Sequence, residues 1–196
     1  MSVLRTAILA LQGAFAEHRQ MLAGLGVEVI ELRQKKDLEQ SFSALILPGG
    51  ESTVQGKLLR DSEMFEPLRQ KIINGLPVMA TCAGTVLLAE QLLDDPTRHF
   101  GTLPMVVKRN AYGRQSDSFY IHGTFAGIDD VPMPFIRAPE IVQCGDGVEI
   151  LSSYRNSPTA VRYRNMLALT WHPEITGFPG IHRYFLENMV IKHTTA

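Results

Sequence analysis

The chain reads Val78-Met79-Ala80-Thr81-Cys82-Ala83-Gly84 at the point that decides its fold. Apolar and small residues lead to one cysteine, and the following run, Thr85 to Glu90, predicts the opening of a helix. A strand, a sharp turn and a helix with a reactive side chain at the apex form a nucleophile elbow, which requires small residues around the apex. We therefore predict an exposed thiol at a helix N-terminus, where the helix dipole favours the thiolate.

Cys82 becomes a candidate nucleophile only if the chain also supplies a base and an acid, because a cysteine after an apolar run is usually a small buried hydrophobic residue. The segment Thr170-Trp171-His172-Pro173-Glu174 supplies both. A residue before proline favours extended backbone, and side chains two apart in an extended segment point to the same side. We expect Glu174 to accept a hydrogen bond from His172, which gives a catalytic set of Cys82, His172 and Glu174.

A glycine pair follows a predicted strand in Leu47-Pro48-Gly49-Gly50-Glu51-Ser52-Thr53. Glycine reaches backbone angles closed to other residues, so such a loop can aim an N–H group at a substrate oxygen. An oxyanion hole needs two donors, and we expect them to be the backbone N–H groups of Gly50 and Ala83. A glycine-rich turn before a helix can also bind phosphate. The segment lacks the Gly-Lys-Ser/Thr ending of a P-loop, which disfavours that alternative.

The rest of the first half alternates between strand and helix, which predicts an α/β fold with a mostly parallel open sheet and helices on both faces. Predicted helices are Phe15–Leu25, a broken helix over residues 53–74, and Ile181–Ile191; predicted strands are Ala7–Leu11, Val27–Leu32, Ala44–Leu47, Val78–Thr81 and Met166–Trp171. Between Thr102 and Tyr163 the segments are short and strand-like. We therefore expect one domain over residues 1–196, with a β-rich segment before its last strand and helix.

Composition excludes several functional classes. The chain has 196 residues, 45% of them hydrophobic, and a net charge of −1 without a Lys/Arg block, so we expect neither nucleic acid nor a membrane surface as a partner. No signal-peptide pattern or membrane-length apolar run is evident. Cys82 and Cys144 make a poor disulfide framework, which favours a cytoplasmic protein with free thiols. The histidines lack metal-ligand spacing, so we expect no metal and no cofactor.

The three segments together resemble the class I, triad-type glutamine amidotransferases, which have a three-layer, flavodoxin-like fold. Further segments resemble one family in particular, the glutaminase subunits of pyridoxal 5′-phosphate synthase. These segments are Leu11-Gln12-Gly13-Ala14-Phe15-Ala16-Glu17-His18, residues 48–53, residues 81–84, Arg109-Asn110-Ala111-Tyr112-Gly113-Arg114-Gln115 with Ser118-Phe119, and Phe135-Ile136-Arg137-Ala138-Pro139. The resemblance extends from Leu9 to the closing helix.

The resemblance implies that Cys82 attacks the side-chain amide of L-glutamine and that His172, oriented by Glu174, protonates the leaving ammonia. Ammonia then passes to a separate synthase subunit in a hetero-oligomer. It also implies a docking segment at Gln12 and Gly13, where docking completes the oxyanion hole. The glutamine-binding residues that it implies are Gly49, Gly50, Glu51, Arg109, Ile136 and Arg137.

The sequence departs from this family at Ala80, where the family usually has glycine two residues before the nucleophile. We expect a position that accepts small residues to tolerate one methyl group. Three alternatives stay open: a glutaminase subunit of another amidotransferase, such as imidazole glycerol phosphate synthase, a cysteine peptidase, and a non-catalytic interaction subunit that keeps the fold.

Overall fold

The computed structural model describes residues 4–93, 95–109, 111 and 118–192. The central layer is a seven-stranded sheet. In the order given next, the first five strands are parallel to one another, and each of the last two pairs antiparallel with the strand before it. From one edge to the other its strands are β2 (Glu28–Leu32), β1 (Arg5–Leu9), β3 (Ala44–Leu47), β4 (Val78–Thr81), β12 (Met166–Leu169), β11 (Ser157–Tyr163) and β10 (Glu149–Tyr154). This confirms the predicted mostly parallel sheet.

Helices cover both faces of this sheet, as predicted. They are α1 (Phe15–Gly24), α2 (Ser52–Asp61), α3 (Phe65–Ile73), α4 (Ala83–Leu88) and α5 (Gly180–Phe185), which continues as a π-helix over Leu186–Ile191. Side chains alternate between the faces of a strand. Leu9 of β1 therefore packs in the core under α2, α3 and α4, whereas its neighbour Ile8 packs in the core under α1 and α5. Two apolar cores on one sheet produce the three layers.

The β-rich second half adds two small sheets. One contains β5 (Ala89–Leu92), β6 (Leu103–Lys108) and β9 (Glu140–Cys144); the other is a hairpin of β7 (Phe119–Phe125) and β8 (Ile128–Phe135). The helix predicted to include Glu90 ends earlier, at Leu88, because the chain from Ala89 onward pairs with β6. Tertiary pairing thus overrides the local helical pattern. Of the segment that begins at Arg109, residues 110 and 112–115 lie outside the described residues.

The connections after β1 and β3 position the functional site. These two strands are neighbours, but the helices that follow them cover opposite faces: α1 contributes Leu22 to one core, and α2 contributes Leu59 to the other. A crevice opens at the carboxyl ends of parallel strands where successive connections diverge in this way. The segments Gln12–Ala14 and Pro48–Glu51 meet there. None of the helices in the described ranges is long and apolar enough to cross a membrane.

Candidate active site

Cys82 lies at the apex of the strand–turn–helix formed by β4 and α4. Its backbone has φ of 47° and ψ of −103°, a conformation that L-residues rarely adopt, and its N–H donates to the carbonyl of Leu169 at 2.9 Å. A side chain at Gly84 would be impossible, because its Cβ would lie 2.1 Å from the carbonyl oxygen of Leu47. Backbone strain of this kind is typical of functional sites. The predicted elbow is therefore present, with its strain on the cysteine, but the prediction that Cys82 is exposed was wrong: only 7% of its surface is accessible.

Ala80 does not carry that strain. It is fully buried in β4 and pairs in register with Leu47 of β3 and Ala168 of β12. Its φ is not among the positive values found at non-glycine residues in the described chain. The additional methyl group therefore lies within regular sheet, two residues before the turn.

His172 and Glu174 form the predicted hydrogen bond, with 2.6 Å between Nδ1 and Oε1. The backbone that produces it differs from the prediction. β12 ends at Leu169, His172 donates its N–H to the carbonyl of Pro134, and Pro173–Ile175 forms a 3₁₀ turn. The prediction of an extended backbone from His172 to Glu174 was wrong, because proline fits the first turn of a helix. The turn brings the carboxylate to the imidazole.

The electrostatics of this pair favour charge on both partners. Burial lowers the pKa of His172, but its interaction with Cys82 and the hydrogen bond and charge of Glu174 outweigh burial and raise that pKa to about 10. Burial raises the pKa of Glu174, yet the neighbouring imidazoles of His18 and His172 bring it below its usual value. An imidazolium held by a buried carboxylate next to a thiol is the arrangement that general acid–base and nucleophilic catalysis require.

The glycine pair serves a different purpose from the one expected. Neither Gly49 nor Gly50 is among the residues with positive φ; the glycine with positive φ that contacts this loop is Gly13, at 99°. Their value is space. A Cβ at Gly49 would lie 2.3 Å from Cε1 of His172, and one at Gly50 would lie 2.4 Å from Oε1 of Gln12. The loop can approach the imidazole only because Gly49 has no side chain, and it can approach Gln12 only because Gly50 has none.

We predict that Gly49→Ala lowers the turnover of L-glutamine, the substrate that the resemblance implies, by at least about tenfold, because the new methyl group must displace the His172 ring and small misplacements of catalytic groups are costly. Gly24→Ala is the matched control. Gly24 ends α1, and a Cβ there meets nothing within 4 Å. This control should keep parent turnover and gain about 0.5–1 kcal/mol of stability. Steady-state kinetics and thermal unfolding of both variants test this prediction. Equal turnover by Gly49→Ala and Gly24→Ala would contradict the steric argument.

A cavity of about 300 Å³ opens beside Cys82. Its lining includes most of the expected glutamine-binding and oxyanion residues, whereas Gly49 lies behind it, with its N–H on Thr81 Oγ1 and its carbonyl on the N–H of Ala14. Ser52, Val86 and Pro139 also line the cavity, although the sequence predicted no substrate-binding role for any of them. The lining residues are Gln12, Gly50, Glu51, Ser52, Cys82, Ala83, Val86, Arg109, Ile136, Arg137, Pro139 and His172.

Two guanidinium groups flank one carboxylate at this cavity. Arg109 lies 3.3 Å from Oε1 of Glu51 and 3.1 Å from Asp95, and Arg137 lies 3.7 Å from Oε2 of Glu51. Arg137 has a φ of 46°. Ile136, the residue before it, has its carbonyl oxygen 3.8 Å from Sγ of Cys82. The wall opposite the elbow is therefore strained as well. Within the described residues no group of three or more His, Cys, Asp or Glu side chains could hold a metal.

Gln12 joins the two loops that meet at the cavity. Its side-chain oxygen accepts the N–H of Glu51 at 2.8 Å, and its carbonyl accepts Nε2 of Gln55 at 3.0 Å. As the first residue of α4, Ala83 has an N–H with no partner inside its helix, and this N–H is free to face the cavity. The predicted oxyanion residues, Gly50 and Ala83, thus line the same cavity as Cys82.

The three-layer sheet, the cysteine elbow after β4 and the His–Glu pair after β12 define a class I glutamine amidotransferase. Solved structures agree. A crystal structure described as a glutamine amidotransferase has a TM-score of 0.88 and 42% identity, over 93% of this chain and 97% of that one. A putative GMP synthase protein from Thermoplasma acidophilum shares the fold alone, with a TM-score of 0.71 at 14% identity over 100% of this chain and 98% of that one.

The chain belongs to the SNO glutamine amidotransferase family, which it matches over residues 8–191. Among curated relatives, the pyridoxal 5′-phosphate synthase subunit PdxT of Desulfitobacterium hafniense (strain Y51) is 56% identical, over 95% of this chain and 94% of its own. The protein of the same name from Streptococcus pneumoniae (strain ATCC 700669 / Spain 23F-1) is 50% identical, over 93% and 96%.

Proposed function

We propose that this chain is the glutaminase subunit of a pyridoxal 5′-phosphate synthase and hydrolyses L-glutamine to L-glutamate and ammonia. One observation carries the proposal: the thiol of Cys82, on its strained backbone, and the His172–Glu174 pair, hydrogen-bonded at 2.6 Å, meet at a cavity with guanidinium groups on its rim. The relatives of the same length, whose names specify that synthase, support the choice among amidotransferases.

The reaction follows from the positions of these groups. The Cys82 thiolate attacks the side-chain amide carbon of glutamine, and the N–H groups of Ala83 and Gly50 stabilise the oxyanion. The His172 imidazolium donates a proton to the nitrogen as the C–N bond breaks, which releases ammonia and leaves a thioester. Neutral His172 then takes a proton from water, whose oxygen attacks the thioester, and glutamate leaves as the thiol is restored. Glu174 holds the imidazole throughout.

The charged rim suits the two charged groups on the α-carbon of glutamine. A guanidinium group binds a carboxylate through two parallel hydrogen bonds, so Arg109 and Arg137 are the candidates for the α-carboxylate. Glu51, which lies between them, is the candidate for the α-ammonium group. In the ligand-free site the charges of these three side chains partly neutralise one another. Bound glutamine would replace the ion pairs between them with its own α-carboxylate and α-ammonium groups.

The ammonia product requires a partner. Free ammonia becomes ammonium in water and loses its nucleophilicity, so a protected path to a docked synthase subunit makes chemical sense. Gln12 and Gly13, which the resemblance assigns to docking, contact the same loop that offers Gly50. Docking there would act directly on the oxyanion loop. A cytoplasmic location is part of the proposal, since Cys82 and Cys144 are both free.

A coupled assay tests the proposed function. The chain is mixed with a synthase subunit from a bacterial source, glutamine, a pentose phosphate and a triose phosphate, and cofactor formation is followed by absorbance. Cofactor that forms from glutamine only when this chain is present supports the proposal. Glutamate release without cofactor would favour a glutaminase of another amidotransferase, and no glutamate release would favour a non-catalytic subunit.

Arg109→Ala should raise the KM for glutamine by about tenfold or more, because a hydrogen bond to a charged group contributes about 1.5–3 kcal/mol. Alkylation of Cys82 by iodoacetamide should stay at the parent rate, since Arg109 contacts Glu51 and Asp95 and not the thiol. Arg5→Ala is the control: that arginine pairs with Glu28 at the opposite end of β1. Unchanged glutamine kinetics in Arg109→Ala would remove Arg109 from the substrate site.

A further inference from the structure

Three fully buried polar side chains lie behind the active site: His18 of α1, His182 of α5, and Thr81, which precedes Cys82. The proposed reaction uses none of them. Buried polar groups in proteins are almost always hydrogen-bonded, and a cluster of them beside a catalytic site calls for an explanation.

His18 connects the cluster to the active-site acid. Its Nδ1 lies 2.9 Å from Nε2 of His182, and its Nε2 lies 3.2 Å from Oγ1 of Thr81 and 3.6 Å from Oε2 of Glu174. The other oxygen of Glu174 is taken by His172. Oε2 is buried and has no hydrogen-bond partner among the described residues, so His18 Nε2 is the nitrogen that faces it.

The positions of the protons follow from what each arrangement leaves unpaired. With hydrogen on Nε2 of His18, an N–H faces Thr81 and Glu174, and Nδ1 accepts from His182; the hydroxyl hydrogen of Thr81 and a lone pair on Nδ1 of His182 then lack a partner in the described part of the chain. In the reverse arrangement Thr81 donates to His18, but an N–H of His182 is stranded and a lone pair of His18 faces the carboxylate. Each arrangement leaves one buried donor without an acceptor, so the group that faces Glu174 decides between them. An N–H toward a buried carboxylate is favourable and a lone pair there is not, so the first arrangement is favoured.

The charges around His18 are consistent with a neutral ring. Burial lowers the pKa of His18; Glu174 and Glu17 oppose that effect, and His172 adds to it. Burial together with His18 lowers the pKa of His182. Both rings are then neutral near pH 7, and each carries one hydrogen. His182 donates its hydrogen to His18, and this hydrogen bond fixes the tautomer that presents Nε2–H to Glu174.

Thr81 extends the same contact to the oxyanion loop. Its Oγ1 accepts the N–H of Gly49 at 2.9 Å while it contacts Nε2 of His18. One imidazole thus contacts both the acid that orients His172 and the hydroxyl group that holds the loop next to Gly50. Both contacts depend on the same nitrogen of His18.

We propose that His18 is a positioning residue of the glutaminase reaction, whose Nε2–H attracts the second oxygen of Glu174 across 3.6 Å and, through Thr81, holds the loop that carries Gly50. The inference rests on the proposed function, because it assigns His18 a part in that reaction. Loss of this N–H removes the one polar group in the described residues that faces Oε2 of Glu174, so the acid orients and charges His172 less effectively.

Two substitutions of similar polarity separate this role from packing. In His18→Gln the side-chain amide reaches the place of Nε2 and keeps an N–H toward Glu174. In His18→Asn the shorter amide lies near the place of Nδ1 and does not reach it. We expect His18→Asn, assayed in complex with the synthase subunit, to lose at least about tenfold in kcat with the KM for glutamine within about twofold. We expect His18→Gln to stay within about threefold of the parent.

NMR titration of protein labelled with ¹⁵N-histidine supplies the second measurement. The pKa of His172 should fall in His18→Asn and stay closer to the parent value in His18→Gln. Equal loss of kcat and thermal stability in both variants, with the pKa of His172 unchanged, would reduce His18 to a packing role, as would parent activity in both. The titration needs only this chain, so it still tests His18 if the parent releases no glutamate, a result that would remove the proposed function instead.

Discussion

Cys82→Ala is expected to abolish glutamate release, with a loss of at least about 10⁴-fold, because Cys82 carries the only thiol among the described residues that line the cavity and removal of a nucleophile costs about that much in comparable enzymes. The fold should persist. Alanine removes one sulfur atom, whose contacts are the carbonyl oxygen of Ile136, at 3.8 Å, and the imidazole of His172, and neither belongs to the apolar cores. Docking to the synthase subunit should persist too. Glutamate release by the complex and co-elution of the two subunits measure the two expectations.

Cys144→Ala is the matched control. Cys144 lies in β9, outside the cavity, and burial raises its pKa, so it is a poor nucleophile at neutral pH. The variant should retain parent glutaminase activity, and iodoacetamide should still block that activity through Cys82. If Cys82→Ala in complex hydrolyses glutamine at the parent rate, the thioester mechanism is wrong.

Glu174→Gln should lower glutamine turnover by roughly 10³-fold or more, as expected when an orienting carboxylate loses its charge. The amide keeps a similar size but cannot stabilise an imidazolium, so the pKa of His172 should fall from about 10 toward its ordinary value of 6.5. At pH 7 a larger fraction of the imidazole is then neutral and cannot protonate the leaving nitrogen. NMR titration of His172 and kcat at pH 7 test both parts.

For Glu174→Gln we also predict how the free energy of unfolding depends on pH. The raised pKa of His172 adds stability that is complete below pH 6.5 and declines as pH rises toward 10; the lowered pKa of Glu174 adds stability above pH 4.5 that is lost in acid. The free energy of unfolding should therefore differ most between parent and Glu174→Gln at pH 4.5–6.5. A difference that stays constant from about pH 4 to about pH 10 would exclude a charged His172–Glu174 pair.

The local sequence predicted those parts of the site that lie next to one another along the chain. The elbow at Cys82 was readable because the turn accepts only small neighbours, and the His172–Glu174 contact because two residues separate them. Even there the predicted backbone conformation was wrong. The contact is made by a 3₁₀ turn, which is set by Pro173 and by the hydrogen bond from His172 to Pro134. The backbone angles expected of the glycine pair were wrong, since Gly49 and Gly50 provide space instead of unusual dihedral angles; the oxyanion role of Gly50 stays a prediction.

The sequence by itself determined the α/β class and singled out the proposed nucleophile and base, because strand and helix periodicity and the chemistry of a few side chains are local properties. Only the tertiary structure decided what surrounds them. His18, Thr81 and His182 are far apart along the chain, and no local pattern predicts that α1 and α5 bring two imidazoles together behind Glu174. The pKa of His172 is likewise a property of the fold, since it depends on burial and on charges that only packing brings close.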